Sequence, residues 1–325
     1  MPTATVHTRL VSNLEAVAGI ELIRNADLAR LSTFRIGGRA EVLATVHTEE
    51  ALRALVRESA RENLRFHLVG LGSNVLFPDG RLEGLVVRLA GDFKKVHFVG
   101  TEVVAGAALA LPKLARKAAE RGLAGLEALC GFPSTVGGAV VMNAGCYGTE
   151  IKDVMTTCRV VEEDGRVVEL AIGELEPGYR TTNLQGGRRI VVSAAFRLTE
   201  ADPDAVLARI DELNDKRWRS LPMGEPNVGS IFKNPAGDYA GRLIDECGLK
   251  GHAIGGARIS PKHGNVIVNT GGASSSDVLE LMLAAFRAVR ARFGVELEPE
   301  VILAGNLHRV WRDSCRDRSE VRMGA

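Results

Sequence analysis

The sequence predicts a mixed α/β and α+β chain with more than one hydrophobic core. Three observations carry that prediction. The first third alternates strand-like and helix-like stretches, the middle third turns to closely spaced strands around a hairpin signal, and the last third rests on amphipathic helices. At 325 residues, the chain is also longer than one core usually serves, so two or three domains are expected.

In the first third, residues 40–46 read as a strand. Thr48 is placed to cap a helix whose first turn carries Glu49 and Glu50, favourable at the positive end of the helix dipole. Leu52, Leu55 and Val56 follow at helical spacing. Residues 66–69 form a short apolar strand ending in Gly70-Leu71-Gly72-Ser73-Asn74, and residues 84–89 form another. In the middle third, residues 96–99 and 102–105 read as short strands and 111–121 as a helix, with Pro112 tolerable in its first turn. A glycine-rich stretch runs over 131–148. Residues 158–162 and 166–170 flank Asp164-Gly165, a strong hairpin signal, and 190–198 is a further strand. In the last third, Asp202 caps a helix with Pro203 at its first position, running toward Arg217 or Trp218. A second helix spans 238–247 and stops at Gly248. Ser275 or Ser276 caps a third, in which Val278, Leu281, Met282, Ala285, Phe286, Val289 and Phe293 give one apolar stripe ended by Gly294. Residues 253–259, 266–269 and 301–303 are strand-like. The charged tail after Arg309 is expected to fray.

Composition excludes several classes of function. A formal net charge of +1 and 5% aromatic residues give no electrostatic case for nucleic acid or a membrane surface and few platforms for base stacking. The amino-terminal residues carry no apolar signal stretch, and no apolar run is long enough to span a bilayer. The five cysteines are scattered, with no C-x-x-C pair, so neither a disulfide framework nor a metal site is expected and a reducing cytoplasm is the natural reading.

Two glycine loops carry the first functional signal. Gly70-Leu71-Gly72-Ser73-Asn74 lacks the third glycine of a dinucleotide fingerprint. Leu76-Phe77-Pro78 cannot open the helix that such a motif needs. A glycine turn after a strand can still present backbone N–H groups to an anion. Residues 131–139, Gly-Phe-Pro-Ser-Thr-Val-Gly-Gly-Ala, have the same character and continue into Met142-Asn143-Ala144-Gly145. Together the loops suit a diphosphate, although ordinary turns have the same composition. Elsewhere, Gly229-Ser230-Ile231-Phe232-Lys233-Asn234-Pro235 sets a serine ahead of two bulky apolar residues; it is neither a nucleophile elbow nor a phosphate loop. Arg180, after Tyr179, is either a solvated arginine or a fork for a carboxylate. Glu300, after Pro299 and before an apolar run, is either a strand-edge carboxylate or a general acid. His263 invites a general-base reading, but most loop histidines are structural or solvated.

These residues, taken in order, resemble the UDP-N-acetylenolpyruvoylglucosamine reductase (UDP-N-acetylmuramate dehydrogenase) family. The matching segments are Ser32 through Gly38, Gly70 through Leu76, 131–148, Tyr179-Arg180, 229–235, 243–256, Lys262-His263-Gly264-Asn265 and Leu297-Glu298-Pro299-Glu300-Val301. The resemblance implies a two-subdomain FAD-binding module of the vanillyl-alcohol-oxidase (PCMH) type, residues 1–88 and 89–201, followed by an α+β substrate-binding domain, 202–325. It implies FAD bound without a covalent bond, through Phe34, Arg35, Gly37 and Gly38, through Gly70, Gly72, Ser73 and Asn74, and through Gly131, Pro133, Ser134, Gly137, Gly138, Asn143 and Gly145.

The same resemblance implies NADPH as reductant and UDP-N-acetylglucosamine enolpyruvate as substrate, in cytoplasmic peptidoglycan synthesis. It assigns chemistry to Arg180, Ser230 and Glu300, and substrate contacts to Tyr179, Arg180, Lys216, Lys233 and Asn234. A monomer without metal is expected. The short spacing from Arg180 to Ser230 indicates the subtype without an inserted substrate loop. Three positions depart from the family pattern: Ser134, Thr182 and Gly264. A silent UDP-sugar binder, a serine hydrolase using Ser230 and another flavin oxidase are the competing readings.

Overall fold

The structure, a computed structural model, describes residues 8–186 and 189–316. Packing divides them into two units. The first takes the described residues through Arg24, Val42–Leu71 and Gly84–Arg219; the second takes Asn25–Glu41, Gly72–Glu83 and the described residues from Ser220 onward. Each has its own apolar core, as the chain length requires.

The first unit is organised by two sheets. One has the strand order Ile20–Asp27, Arg39–Val46, Arg81–Leu89, Phe66–Leu68, with the last two parallel. The helix Glu49–Arg61 precedes Phe66–Leu68, and Thr48 accepts the Ala51 N–H at its start as expected. The second sheet has the order Val167–Ala171, Met155–Val161, Ile190–Arg197, Glu102–Gly106, Val96–Val99. All its pairings are antiparallel, and the hairpin at Asp164-Gly165 forms where the sequence places it.

Inside the glycine-rich stretch lies a helix that propensity did not reveal, Val136–Val141. Its Thr135 cap accepts the Gly138 N–H. A side chain at Gly137 would press on Ala107 at 3.0 Å, so close packing, rather than turn formation, accounts for that glycine.

In the second unit, the strands Ala253–Ile254, Ala257–Ile259 and Ile267–Asn269 form an antiparallel sheet, and Val75–Leu76 pairs in parallel with Ile302–Leu303. The apolar stripe of Ser275–Phe293 lies in the core. Its cap is Ser274, one residue earlier than expected, because Ser274 and Asp277 form a reciprocal capping box. The Asp79 carboxylate accepts the Ser275 and Ser276 N–H groups, adding a negative charge at the helix start. The expected fraying after Arg309 is not what residues 309–316 do. They belong to the helix Leu307–Arg316, whose Leu307 and Trp311 are buried. The apolar side of a short charged helix was enough to dock it.

Candidate active site

The two glycine loops meet in the first unit. A β-carbon at Gly70 would lie 2.6 Å from Thr135 Oγ1, so the end of the first loop rests against the cap of the helix in the second. Gly70 and Gly138 are exposed, which leaves backbone with no side chain of its own at those two positions; Pro133 is exposed as well. Such bare backbone admits close approach by a phosphate or a flat ring. At the other end of the second loop, Gly131 abuts Arg217, 3.1 Å from its Cδ to a built β-carbon. Ser134 bonds Thr135 O through its hydroxyl, and its own carbonyl accepts Leu111 N–H.

Arg180 sits in a turn closed by Gly178 N–H to Thr181 O at 3.0 Å. Its φ is +58°, a conformation that arginine rarely adopts. Its Nη2 donates to Gly145 O at 2.9 Å, and its guanidinium lies 5.2 Å from the ring of Tyr179, itself exposed. Thr182, a departure from the family pattern, donates its hydroxyl to Val141 O at 2.8 Å. Asn143, expected at the cofactor, directs its amide into the protein, to Gly178 O and Glu150 Oε2. Lys216 is exposed with its Nζ 5.3 Å from the Tyr147 ring, and Arg217 Nη1 reaches Cys146 Sγ at 3.6 Å. Tyr147 thus joins the residues around Lys216, and only its place among glycines could have pointed to it.

The second unit gathers the remaining candidates. Residues 230–233 lie between two segments. Ser230 bridges Val266 on one side, and Phe232 bridges Pro299 on the other. Glu300 N–H donates to Ile231 O at 2.8 Å, and Lys233 N–H to Glu298 O. Asn74 Nδ2 donates to Glu300 O at 3.2 Å, so Asn74, Ser230 and Glu300 share one locality. Ser230 and Glu300 are both half-buried. Asn265 clamps the run: its backbone O accepts Ile231 N–H, and its side chain bonds the Phe232 N–H and C=O at 2.9 and 2.8 Å. His263 Nδ1 in turn accepts Asn265 N–H. Lys233 pairs with Glu298 at 2.6 Å, and Asn234 Oδ1 accepts the N–H of Ala240 at the start of the next helix. Gly229 has φ +75°, and a side chain there would meet nothing within 4 Å. The turn conformation, not crowding, is what calls for glycine.

The segment Ser32 through Gly38 folds against Gly72 and 78–80. Ser32 Oγ and Thr33 N–H both donate to Gly72 O. A β-carbon at Gly72 would fall 1.8 Å from Leu31 O, and one at Gly38 2.0 Å from Gly80 O, so both positions exclude any side chain. Phe34, expected at the cofactor, is fully buried in the core; its N–H donates to Ser32 Oγ and its carbonyl accepts from Asn269. Arg35 is exposed with φ +54°.

Known proteins match the chain along almost its whole length. Residues 40–171 match the family described as FAD binding domain, and residues 221–304 match UDP-N-acetylenolpyruvoylglucosamine reductase, C-terminal domain. The chain is 43% identical over 290 residues to UDP-N-acetylenolpyruvoylglucosamine reductase 2 of Symbiobacterium thermophilum, covering 89% of this chain and 94% of that one. It is 39% identical over 300 residues to the reductase of Geobacter metallireducens, covering 92% and 99%. The crystal structure of UDP-N-acetylenolpyruvylglucosamine reductase from Thermus caldophilus superposes with a TM-score of 0.76 at 38% identity, covering 88% of this chain and 99% of that one. The fold expected from the sequence, an FAD-binding module followed by a C-terminal substrate-binding domain, agrees with these matches.

Proposed function

The chain belongs to the UDP-N-acetylenolpyruvoylglucosamine reductase family, and from that membership we propose that it reduces UDP-N-acetylglucosamine enolpyruvate to UDP-N-acetylmuramate, with NADPH as the electron source, in peptidoglycan precursor synthesis. The carrying observation is the identity of 43% extending over 89% of the chain. It is an FAD-dependent oxidoreductase. FAD, held without a covalent bond, would supply the redox chemistry that carries hydride from NADPH to the terminal carbon of the enolpyruvyl double bond. The backbone at Gly70 and Gly138 fits such a group, since a phosphate or ring can approach there without meeting a β-carbon. No helix among the described residues is long and apolar enough to cross a membrane, and we place the reaction in the cytoplasm, carried out by a monomer.

The remaining chemistry falls to the chain's own residues. Adding hydride to the terminal carbon leaves negative charge on the neighbouring carbon and the carboxylate, and one proton completes the lactyl product. Arg180 holds that carboxylate and the growing charge with its planar fork. Ser230 hands its hydroxyl proton to the carbon that becomes the stereocentre and recovers it from solvent. A hydroxyl is a weak acid, but an enolate needs a nearby proton on the correct face more than a strong acid. The clamp by Asn265 and the flanking bonds to 298–300 hold the backbone next to the residue that carries that hydroxyl. Glu300 supports the acid side, and Tyr179, Lys216, Lys233 and Asn234 contact the substrate.

Half-reactions test these roles. Arg180→Ala, Glu300→Gln and Ser230→Ala should each bleach with NADPH at close to the parent rate. Recolouring by the enolpyruvyl substrate should slow by about 10²–10⁴ for the first two, the usual scale for one acid or electrostatic stabiliser, and at least as much for Ser230→Ala. Ser230→Cys should retain part of the rate, because a thiol also donates a proton. Parent-like recolouring by Ser230→Ala would leave Ser230 as a turn residue and move the proton to Glu300.

A further inference from the structure

We propose that Asn143 is a positioning residue for Arg180, holding the arginine turn in register with the tail of the second glycine loop, with Gln185 as the second hold on the same turn. Asn143 is 1% exposed, with φ +39°. Its Nδ2 donates to Gly178 O at 2.9 Å and to Glu150 Oε2 at 3.1 Å, and its Oδ1 accepts Lys152 N–H at 3.0 Å. Both amide hydrogens are therefore used inside the protein, which favours a mechanical role over a direct contact with cofactor.

The receiving carbonyl is what gives this bond its consequence. Gly178 O belongs to the turn whose corner is Tyr179-Arg180 and whose other side is Thr181. Gln185 Nε2 reaches across to Arg180 O at 2.8 Å and to Met142 Sδ at 3.0 Å. With Arg180 Nη2 on Gly145 O and Thr182 Oγ1 on Val141 O, residues 141–145 grip residues 178–185 from end to end. The turn carries an arginine in a conformation it does not prefer, so the turn by itself does not fix the guanidinium. The bonds from outside the turn do. A shift of about 1 Å in such a group lowers a rate by about 10²-fold.

The inference rests on the reading of Arg180 as the carboxylate fork, and the experiment separates the two. Asn143→Gly is the informative variant in the FAD-loaded enzyme: glycine keeps φ +39° without strain and removes the bonds. Reduction by NADPH should stay within about twofold of the parent, and recolouring by substrate should slow by about 10–100-fold. The double variant Asn143→Gly/Arg180→Ala should recolour no more slowly than Arg180→Ala alone, since a positioning residue has nothing left to position. Gln185 is exposed, so Gln185→Ala tests the same idea where folding is not at risk, with recolouring slowed by about 3–10-fold and bleaching unchanged.

Parent-like recolouring in Asn143→Gly overturns the proposal, as does additive slowing in the double variant. Equal slowing of both half-reactions, or loss of FAD, overturns it in favour of a cofactor or folding role. If Asn143→Gly does not fold, parent-like recolouring of Gln185→Ala overturns it. Parent-like recolouring of Arg180→Ala would instead remove the reading of Arg180 on which the proposal stands.

Discussion

An arginine with φ near +58° is an expensive choice for the third position of a tight turn, where glycine or asparagine would sit without strain. Such strain persists where the side chain is needed for something other than the turn. Arg180→Gly and Arg180→Ala both delete the guanidinium and its bond to Gly145 O, but only glycine relieves the backbone. Arg180→Gly is therefore expected to be more stable than Arg180→Ala by about 1 kcal/mol, with both slow in recolouring. Denaturant midpoints measure the difference, and equal midpoints would mean that the turn is not strained. At this scale the sequence was informative about reactive types and mute about their supports. Ser230, Glu300 and Arg180 stand out as chemistry next to glycine, proline or tyrosine. Gln185 does not, and Asn143 and Asn265 enter only through the family resemblance and without these roles, because their meaning lies in bonds to residues such as Gly178, 35 positions away, or Phe232, 33 positions away.

Secondary elements were legible where local chemistry decides them. Thr48, the hairpin turn at Asp164-Gly165 and Gly294 each carry a local signal and each does its expected work. The helix Val136–Val141 hid behind Gly137 and Gly138, whose presence reflects packing and capping contacts. The helix Leu307–Arg316 lies beyond residue 304, where the matched C-terminal family domain ends. Its Trp311 ring stands 5.6 Å from Phe286 and 5.9 Å from Phe232, two residues after Ser230. Trp311→Ala should destabilise the second unit by about 3–5 kcal/mol; a loss below about 0.5 kcal/mol would make the helix a surface attachment.

The capping box makes a separate prediction. The Ser274 N–H holds the Asp277 carboxyl below its usual range, with burial opposing and the Ser274 hydroxyl and Gly256 N–H adding to the effect. A depressed folded value means that the contribution is complete above about pH 4 and fades as pH falls through the folded value. Asp277→Asn should flatten that acid limb. Urea midpoints at about pH 5 and pH 3 read it, and an unchanged slope would assign the acid sensitivity elsewhere.

At the scale of the molecule, two cores carry two kinds of equipment. The first unit has the side-chain-poor backbone at Gly70 and Gly138 and the turn that bears Arg180; the second has the clamped run of Ser230 with Glu300 beside it. The length predicted more than one domain, and ordered motifs predicted the family, but the division by packing cuts across the linear order: residues 25–41 and 72–83 belong with the carboxy-terminal unit. No composition shift marks those crossings, because the strands Ile20–Asp27, Arg39–Val46 and Arg81–Leu89 run through them. The proposed reaction moves one electron pair from NADPH to an enolpyruvyl double bond in two steps. The most direct measurement is anaerobic: bleach the flavin of the purified protein with one equivalent of NADPH, then add UDP-N-acetylglucosamine enolpyruvate without oxygen. Full recolouring is expected, with one UDP-N-acetylmuramate formed per flavin and a flavin that acid releases intact. A protein that takes up no FAD, or one that bleaches and stays bleached with the substrate present, would contradict it.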